Sequence, residues 1–128
     1  MPLKIVLKPG ERMVIDGAVI RNGDTKTMFT IENRVPLLRE KDILAEDEAH
    51  TVCHRIYYII QLMYIDKKDP VTHHAAYWKL VQPLVKAAPS SVPLVDRISE
   101  QILAGQFYRA LRLAKKLVAY EEEVMKRV

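Results

Sequence analysis

The sequence predicts an α+β protein, a small, twisted antiparallel β-meander followed by a bundle of about four helices. Three observations lead there. Apolar residues alternate with a two-residue period in the first forty positions, turn pairs recur there every six to ten residues, and from Glu40 onward apolar residues return at intervals of three and four. The switch of period divides the chain into a β-rich region, residues 1–44, and a helical region, residues 45–128.

The β elements follow from this pattern. Leu3, Ile5 and Leu7 alternate with Lys4, Val6 and Lys8, as in a half-buried strand, until Pro9-Gly10 breaks the run. A second strand, Arg12 to Ile15, meets Asp16-Gly17, a pair suited to the positive backbone angles of a two-residue hairpin turn, and Ala18 to Arg21 returns. Asn22-Gly23-Asp24 reverses the chain again. Thr25 to Glu32 is rich in Thr, Phe and Ile, and Val35 to Arg39 forms a last extended piece.

The first helix is expected from about Asp47 to Ile65, with Val52, Ile56, Ile59, Ile60, Met63 and Tyr64 on one stripe. Thr72 is the expected cap of the next, whose Ala76, Tyr77, Leu80, Val81, Leu84, Val85 and Ala88 form a broad apolar face. Pro83 inside that face predicts a kink or a break into two shorter helices. Pro89 to Pro93 reads as a serine-capped loop. Leu94, Val95, Ile98, Ile102 and Leu103 carry a third helix to Gly105, and a fourth from Gln106 to about Lys126 is expected to bury Phe107, Leu111, Ala114, Leu117 or Val118, and Val124.

Composition narrows the function classes. The 128 residues, 49% hydrophobic and 28% charged, match an ordinary globular chain rather than a disordered or fibrous one. The longest apolar run, Arg55 to Ile65, is interrupted at Gln61 and ended by Asp66, so no membrane span and no membrane partner are expected. The amino-terminal MPLKIVLKPGE lacks the layout of a secretory signal, and the single Cys53 excludes an internal disulfide framework, which together point to the cytoplasm. Twenty basic against sixteen acidic residues give a net charge of +4, spread evenly, with eight against six up to position 44 and twelve against ten beyond it.

Chemistry-bearing patterns are few. His50 and His54 flank Cys53, and His73-His74 follows the next loop, but a zinc site needs three or four converging ligands and no CxxC is present, so no metal and no cofactor are expected. Cys53 and His54, adjacent on a helix, point about 100° apart and make no dyad. GxSxG, HExxH, GxxxxGK[ST] and GxGxxG are all absent. The run Glu121-Glu122-Glu123 reads as a solvated helix face, and Tyr57, Tyr58 and Trp78 as packing residues. No catalytic site is expected. What remains is the β region, where Lys4, Lys8, Arg12, Arg21, Lys26, Arg34 and Arg39 are interleaved with apolar residues. Such a face is either merely solvated or an RNA surface, in which basic side chains hold phosphates and strand edges read splayed bases.

Three strings, LKIVLKPGERMVIDGAVIRNGD, FTIENRVPLLREKDIL and RIYYIIQLMY, together with the late GQFYRALRLAKKLVAYE, closely resemble the FlbT family of flagellar biosynthesis regulators over nearly the whole chain. The resemblance implies a cytoplasmic bacterial regulator that binds the 5′ untranslated leader of flagellin mRNA, blocks translation and promotes mRNA degradation, with an activating rather than repressing role in some members. It also implies a working partnership with the small flagellar protein FlaF. The β region alone looks like the carbon storage regulator CsrA, an RNA-binding homodimer of interleaved strands. In that family basic residues of the first strand and an arginine closing the last strand hold RNA. Lys8, before Pro9-Gly10-Glu11, matches the second of the first-strand arginines, and Arg39, before Glu40, matches the closing one, whereas Leu7 and Leu38 depart from the pattern. The expected RNA-binding set is Lys4, Lys8, Arg12, Arg34 and Arg39. A helical adaptor or chaperone that binds flagellin or FlaF without touching RNA is the alternative, its amphipathic helices being the supporting feature.

Overall fold

The computed structural model describes residues 2–127, and the chain falls into two compact units, Met1–Ile43 and Leu44–Val128. The first holds five antiparallel strands, β1 (Leu3–Leu7), β2 (Arg12–Ile15), β3 (Ala18–Arg21), β4 (Thr27–Ile31) and β5 (Leu37–Arg39). The second holds four helices, α1 (Val52–Ile65), α2 (Pro70–Ala87), α3 (Val92–Leu103) and α4 (Phe107–Lys126). The α+β architecture is the one the periodicity predicts.

Strand order departs from a simple meander. β1 pairs with β4 in one two-stranded ribbon, and β2 lies between β3 and β5 in a second sheet, so only β2 and β3 are neighbours in both sequence and space. The physical reason lies in the turns. Asp16 and Gly17 take φ of 49° and 86°, the left-handed pair that a tight hairpin between β2 and β3 demands. The segments after β1 and β3 are bound to each other instead. Gly10 N–H donates to Gly23 O at 3.0 Å and Asn22 N–H to Glu11 O at 2.8 Å, which lays the two connections side by side and sends β4 back along β1. Asn22 completes the junction. Its Nδ2 donates to the carbonyls of Leu7, Lys8 and Thr25, at 3.2, 2.9 and 2.9 Å, while its Oδ1 accepts from Thr27 Oγ1 at 2.8 Å.

Between the two sheets Ile5, Leu7 and Met13 are buried, with Ile15, Phe29, Ile31 and Leu37 packed against them. This is a small core. It draws on the inward residues of β1 and β2, so the alternation seen in sequence is realised for Ile5 and Leu7, while Leu3 at the strand end stays exposed.

In the helical unit α1 packs on α4 and α2, and α4 on α3, around Ile56, Ile60, Ile98, Ile102 and Leu117, all essentially without exposure. Several boundaries differ from the sequence reading. α1 starts at Val52 because Thr51 caps it, its side chain accepting from His54 N–H at 3.1 Å; the acidic Glu46–Glu48 stretch forms a separate 3-10 turn. α2 begins at Pro70, whose fixed φ suits a first helical position, so Thr72 lies inside the helix rather than capping it. Pro83 does not divide α2. It sits on the exposed side, as does Lys79, whose carbonyl loses its helical partner where water can replace it. Ser91 turns its hydroxyl back to Ala88 O at 2.7 Å and does not cap α3. On α4 the predicted Leu111, Ala114 and Leu117 are buried, whereas Phe107 is half-buried and Val124 is 40% exposed. Val124 projects one turn past Glu121, which already lies beside the first turn of α1.

One buried polar group organises the start of this unit. Gln61 is 3% exposed, and its amide accepts from Leu44 N–H at 2.8 Å and donates to Leu44 O at 2.9 Å. Replacing Gln61 with Leu strips both partners from the Leu44 peptide, so chemical unfolding followed by circular dichroism at 222 nm is expected to report a loss of about 1–3 kcal/mol. Unchanged stability would mean that the pair is exchanged for water without cost.

Candidate nucleic-acid interface

The five basic residues singled out in the β region reach different fates. Lys4 projects from the side of β1 opposite Ile5 and Leu7, Lys8 follows the last residue of the strand, and both are exposed. Across the ribbon Lys4 faces Thr30 and Val6 faces Met28, which is 60% exposed. The outer face of the β1–β4 ribbon therefore combines the Lys4 ammonium with an accessible thioether and a hydroxyl, and the exposed Lys8 stands at its end.

Arg12 lies opposite Arg21 in the β2–β3 register, an arrangement of like charges that would be unfavourable unpaired. Each is engaged elsewhere. Arg12 Nε and its backbone N–H both donate to Glu40 Oε1 at 3.3 Å, and Arg21 Nη1 donates to Gly10 O at 2.9 Å. Arg34 is exposed in the segment between β4 and β5, apart from the ribbon face.

Arg39 closes β5 opposite Met13. Its Nη2 donates to Val6 O at 3.1 Å and lies 3.4 Å from Glu11 Oε2, and its Nε is buried without a partner. One guanidinium on the three-stranded sheet thus grips a carbonyl of the ribbon. Glu11 is the residue that sequence reasoning missed. It stands at the end of the turn after β1, accepts Lys8 N–H on Oε1 at 2.8 Å and returns its own N–H to Lys8 O at 3.1 Å. A glutamate three residues beyond a basic strand end, after Pro-Gly, was the available signal. The Lys8 backbone N–H holds the Glu11 carboxyl below its ordinary value; burial opposes it, and the Arg39 guanidinium and the Lys8 charge add to the lowering. Lys8, Glu11 and Arg39 are therefore one constellation, with the ammonium of Lys8 at its exposed margin.

The histidine and cysteine cluster of the helical unit has a different character. Cys53 is fully buried, and burial together with the nearby Glu121 carboxylate pushes its thiol up to about 12, so it stays protonated and unreactive. His54 Nδ1 meets Thr51 Oγ1 at 2.6 Å and lies 4.0 Å from Glu121 Oε1, while His50 is exposed. Among the described residues no group of three or more His, Cys, Asp or Glu is placed to hold a metal, and no helix is long and apolar enough to cross a membrane. Tyr57 is buried, and Trp78, 37% exposed, packs edge-on against Tyr77 at 5.0 Å.

Because the folded state lowers the affinity of Glu11 for a proton, its contribution to stability is complete above the ordinary glutamate range near 4.3 and is lost as pH falls through the lower folded value. Urea titrations followed by NMR of the β-unit methyl groups, from about pH 6 down to about pH 3, are expected to show this loss in the wild type and a shallower one in Glu11→Gln. Equal pH slopes in the two proteins would contradict the assignment.

The profile of the family described as flagellar protein FlbT matches residues 3–125. A probable flagellum biosynthesis repressor protein FlbT from Bradyrhizobium diazoefficiens is 46% identical over 125 residues, covering 97% of this chain and 85% of the relative. The corresponding protein of Rhodopseudomonas palustris is 42% identical over 127 residues, covering 99% of this chain and all of the relative. The flagellum biosynthesis repressor protein FlbT of Caulobacter vibrioides is 36% identical, covering 96% of this chain and 89% of the relative. No solved structure matches. A family match over almost every residue, joined to relatives of this identity and coverage, establishes that the chain belongs to the FlbT family.

Proposed function

We propose that the protein is a cytoplasmic, non-enzymatic repressor of flagellum biosynthesis that acts by binding the 5′ untranslated leader of flagellin mRNA through its β unit. The names of its relatives as flagellum biosynthesis repressors support the regulatory reading. The observation that carries the RNA reading is the exposure of Lys4 on the ribbon and of Lys8 at the end of β1, with accessible Met28 and Thr30 on β4. Phosphate contacts from those lysines supply affinity that does not depend on sequence, while the edge of β4, which pairs only with β1, offers main-chain donors and acceptors to unstacked bases. Arg12, Arg34 and Arg39 complete the proposed set. Arg39 has the further duty of holding the ribbon in register with the neighbouring sheet, as its bond to Val6 O suggests.

Occupation of the leader hinders ribosome loading, and an untranslated message is then open to nucleases, so repression and mRNA degradation need no chemistry from the protein. A homodimer, as in the CsrA family that the β region resembles, presents two such faces to one leader and raises avidity by about 10²-fold where spacing fits. The edge strand β3 favours it: all four residues are exposed, Val19 at 69%. The proposed partnership with a FlaF-type protein falls to the helical unit, where Val71 and Leu103 are 79% and 72% exposed.

Lys4→Ala/Lys8→Ala is expected to weaken binding of a flagellin leader RNA by about tenfold and to flatten the dependence of log affinity on log salt by about 1.4, while circular dichroism stays unchanged. Sedimentation of the same complexes should find two chains per leader. Wild-type affinity in the double variant would remove the proposed site. Absence of any RNA binding, with capture of FlaF by the same protein, would favour the adaptor.

A further inference from the structure

A second cationic surface lies on α4. Between Gln106 and Tyr120 the chain carries Arg109, Arg112, Lys115 and Lys116 and no acidic residue. At 100° per residue Arg109, Arg112 and Lys116 fall within a 60° stripe about 10 Å long, on the side opposite the buried Ala110, Leu111, Ala114 and Leu117. Among the described residues none of these three is ion-paired.

Two further observations argue against an idle solvated face. Arg109 stands in the first turn of α4, where the helix dipole disfavours a cation, and no acidic residue shares that turn. Stability alone would favour the reverse. An aromatic platform also adjoins the stripe. Tyr108 is 41% exposed, its ring lies 5.5 Å from that of Tyr64, and the Arg112 guanidinium stands 5.9 Å from its centroid.

We propose that Tyr108, Arg109, Arg112, Lys115 and Lys116 form a second contact surface for single-stranded RNA, on which a base stacks at the Tyr108–Arg112 platform while its flanking phosphates meet the stripe. This extends the RNA-binding reading to the helical unit and rests on it. Cations beside an exposed ring match the combination used for unpaired strands. A lipid surface fits less well, because helices that lie on membranes insert their apolar face, and the apolar face of α4 is buried in the bundle.

The test uses the full chain and fluorescent flagellin leader RNA. In Arg109→Glu/Arg112→Glu, affinity should fall by at least about tenfold with a salt dependence flatter by about 1.4, and Tyr108→Ala should lose about fivefold or more, at unchanged helicity. Lys126→Glu/Arg127→Glu, at the far end of the same helix, should stay within about twofold of the wild type. Wild-type RNA binding that survives Arg109→Glu/Arg112→Glu undiminished overturns this inference alone. An equal loss in both double variants overturns it as a mere effect of net charge. A wild-type protein that binds no RNA defeats the broader reading and this inference with it. Stripe-dependent binding to phosphatidylcholine–phosphatidylserine vesicles with unaltered RNA affinity would transfer the surface to a lipid partner.

Discussion

The two parts of the β unit are tied by side chains, above all by the Asn22 junction and by the Arg39 guanidinium. Among the described residues the ribbon of β1 and β4 and the sheet of β3, β2 and β5 share no backbone ladder, and Ile5, Leu7 and Met13 form a small buried cluster between them. Arg39 bridges that division by donating to the Val6 carbonyl, with the Glu11 carboxylate beside it and Glu11 in turn fastened to the turn after β1. A bond to a charged donor in a partly buried setting contributes more than an ordinary one, and this one acts beside the bonds of the Asn22 junction. Its consequence reaches function. β1 carries Ile5 and Leu7 toward the core and Lys4 away from it, so whatever fixes the ribbon also fixes the side that Lys4 presents.

Arginine and lysine thus divide the labour of the basic residues. Arg12, Arg21 and Arg39 are engaged with carboxylates and carbonyls inside the unit, as befits a planar donor that can satisfy several acceptors. Lys4 and Lys8, flexible point charges on exposed positions, are left to the solvent side. A count of positive charge treats the two groups alike, and an even +4 over the chain says nothing of this separation. The helical unit repeats the theme on a larger scale, since the apolar side of α4 is committed to packing and its opposite side carries Arg109, Arg112 and Lys116, none of them ion-paired among the described residues.

Much of the fold was legible because its determinants are local. The Asp16-Gly17 hairpin, the alternation in β1, the apolar stripes of the four helices and the stop at Gly105 each depend on residues a few positions apart. What was not legible depends on distant partners. The pairing of β4 with β1 is set by the Asn22 junction, and the start of α1 by a threonine cap competing with the acidic 3-10 turn before it. Pro83 was misleading for a third reason, since its penalty falls on the carbonyl of an exposed residue. At the candidate interface the basic residues were visible in sequence, but the engagement of Arg39 with Val6 and Glu11 was not, because the two ends of that contact are thirty-three and twenty-eight residues away. The Tyr108–Arg112 platform was hidden by the same periodicity that predicted α4, in which exposed positions count only as the polar side.

The central claim is that the outer face of the β1–β4 ribbon touches RNA. Photocrosslinking of a flagellin leader to the intact protein, with the crosslinked peptides identified by mass spectrometry, addresses it without any substitution. Adducts on the peptides that carry Lys4, Lys8 and Met28 are the predicted result. A leader that crosslinks efficiently, yet nowhere within the first forty-three residues, would contradict the account.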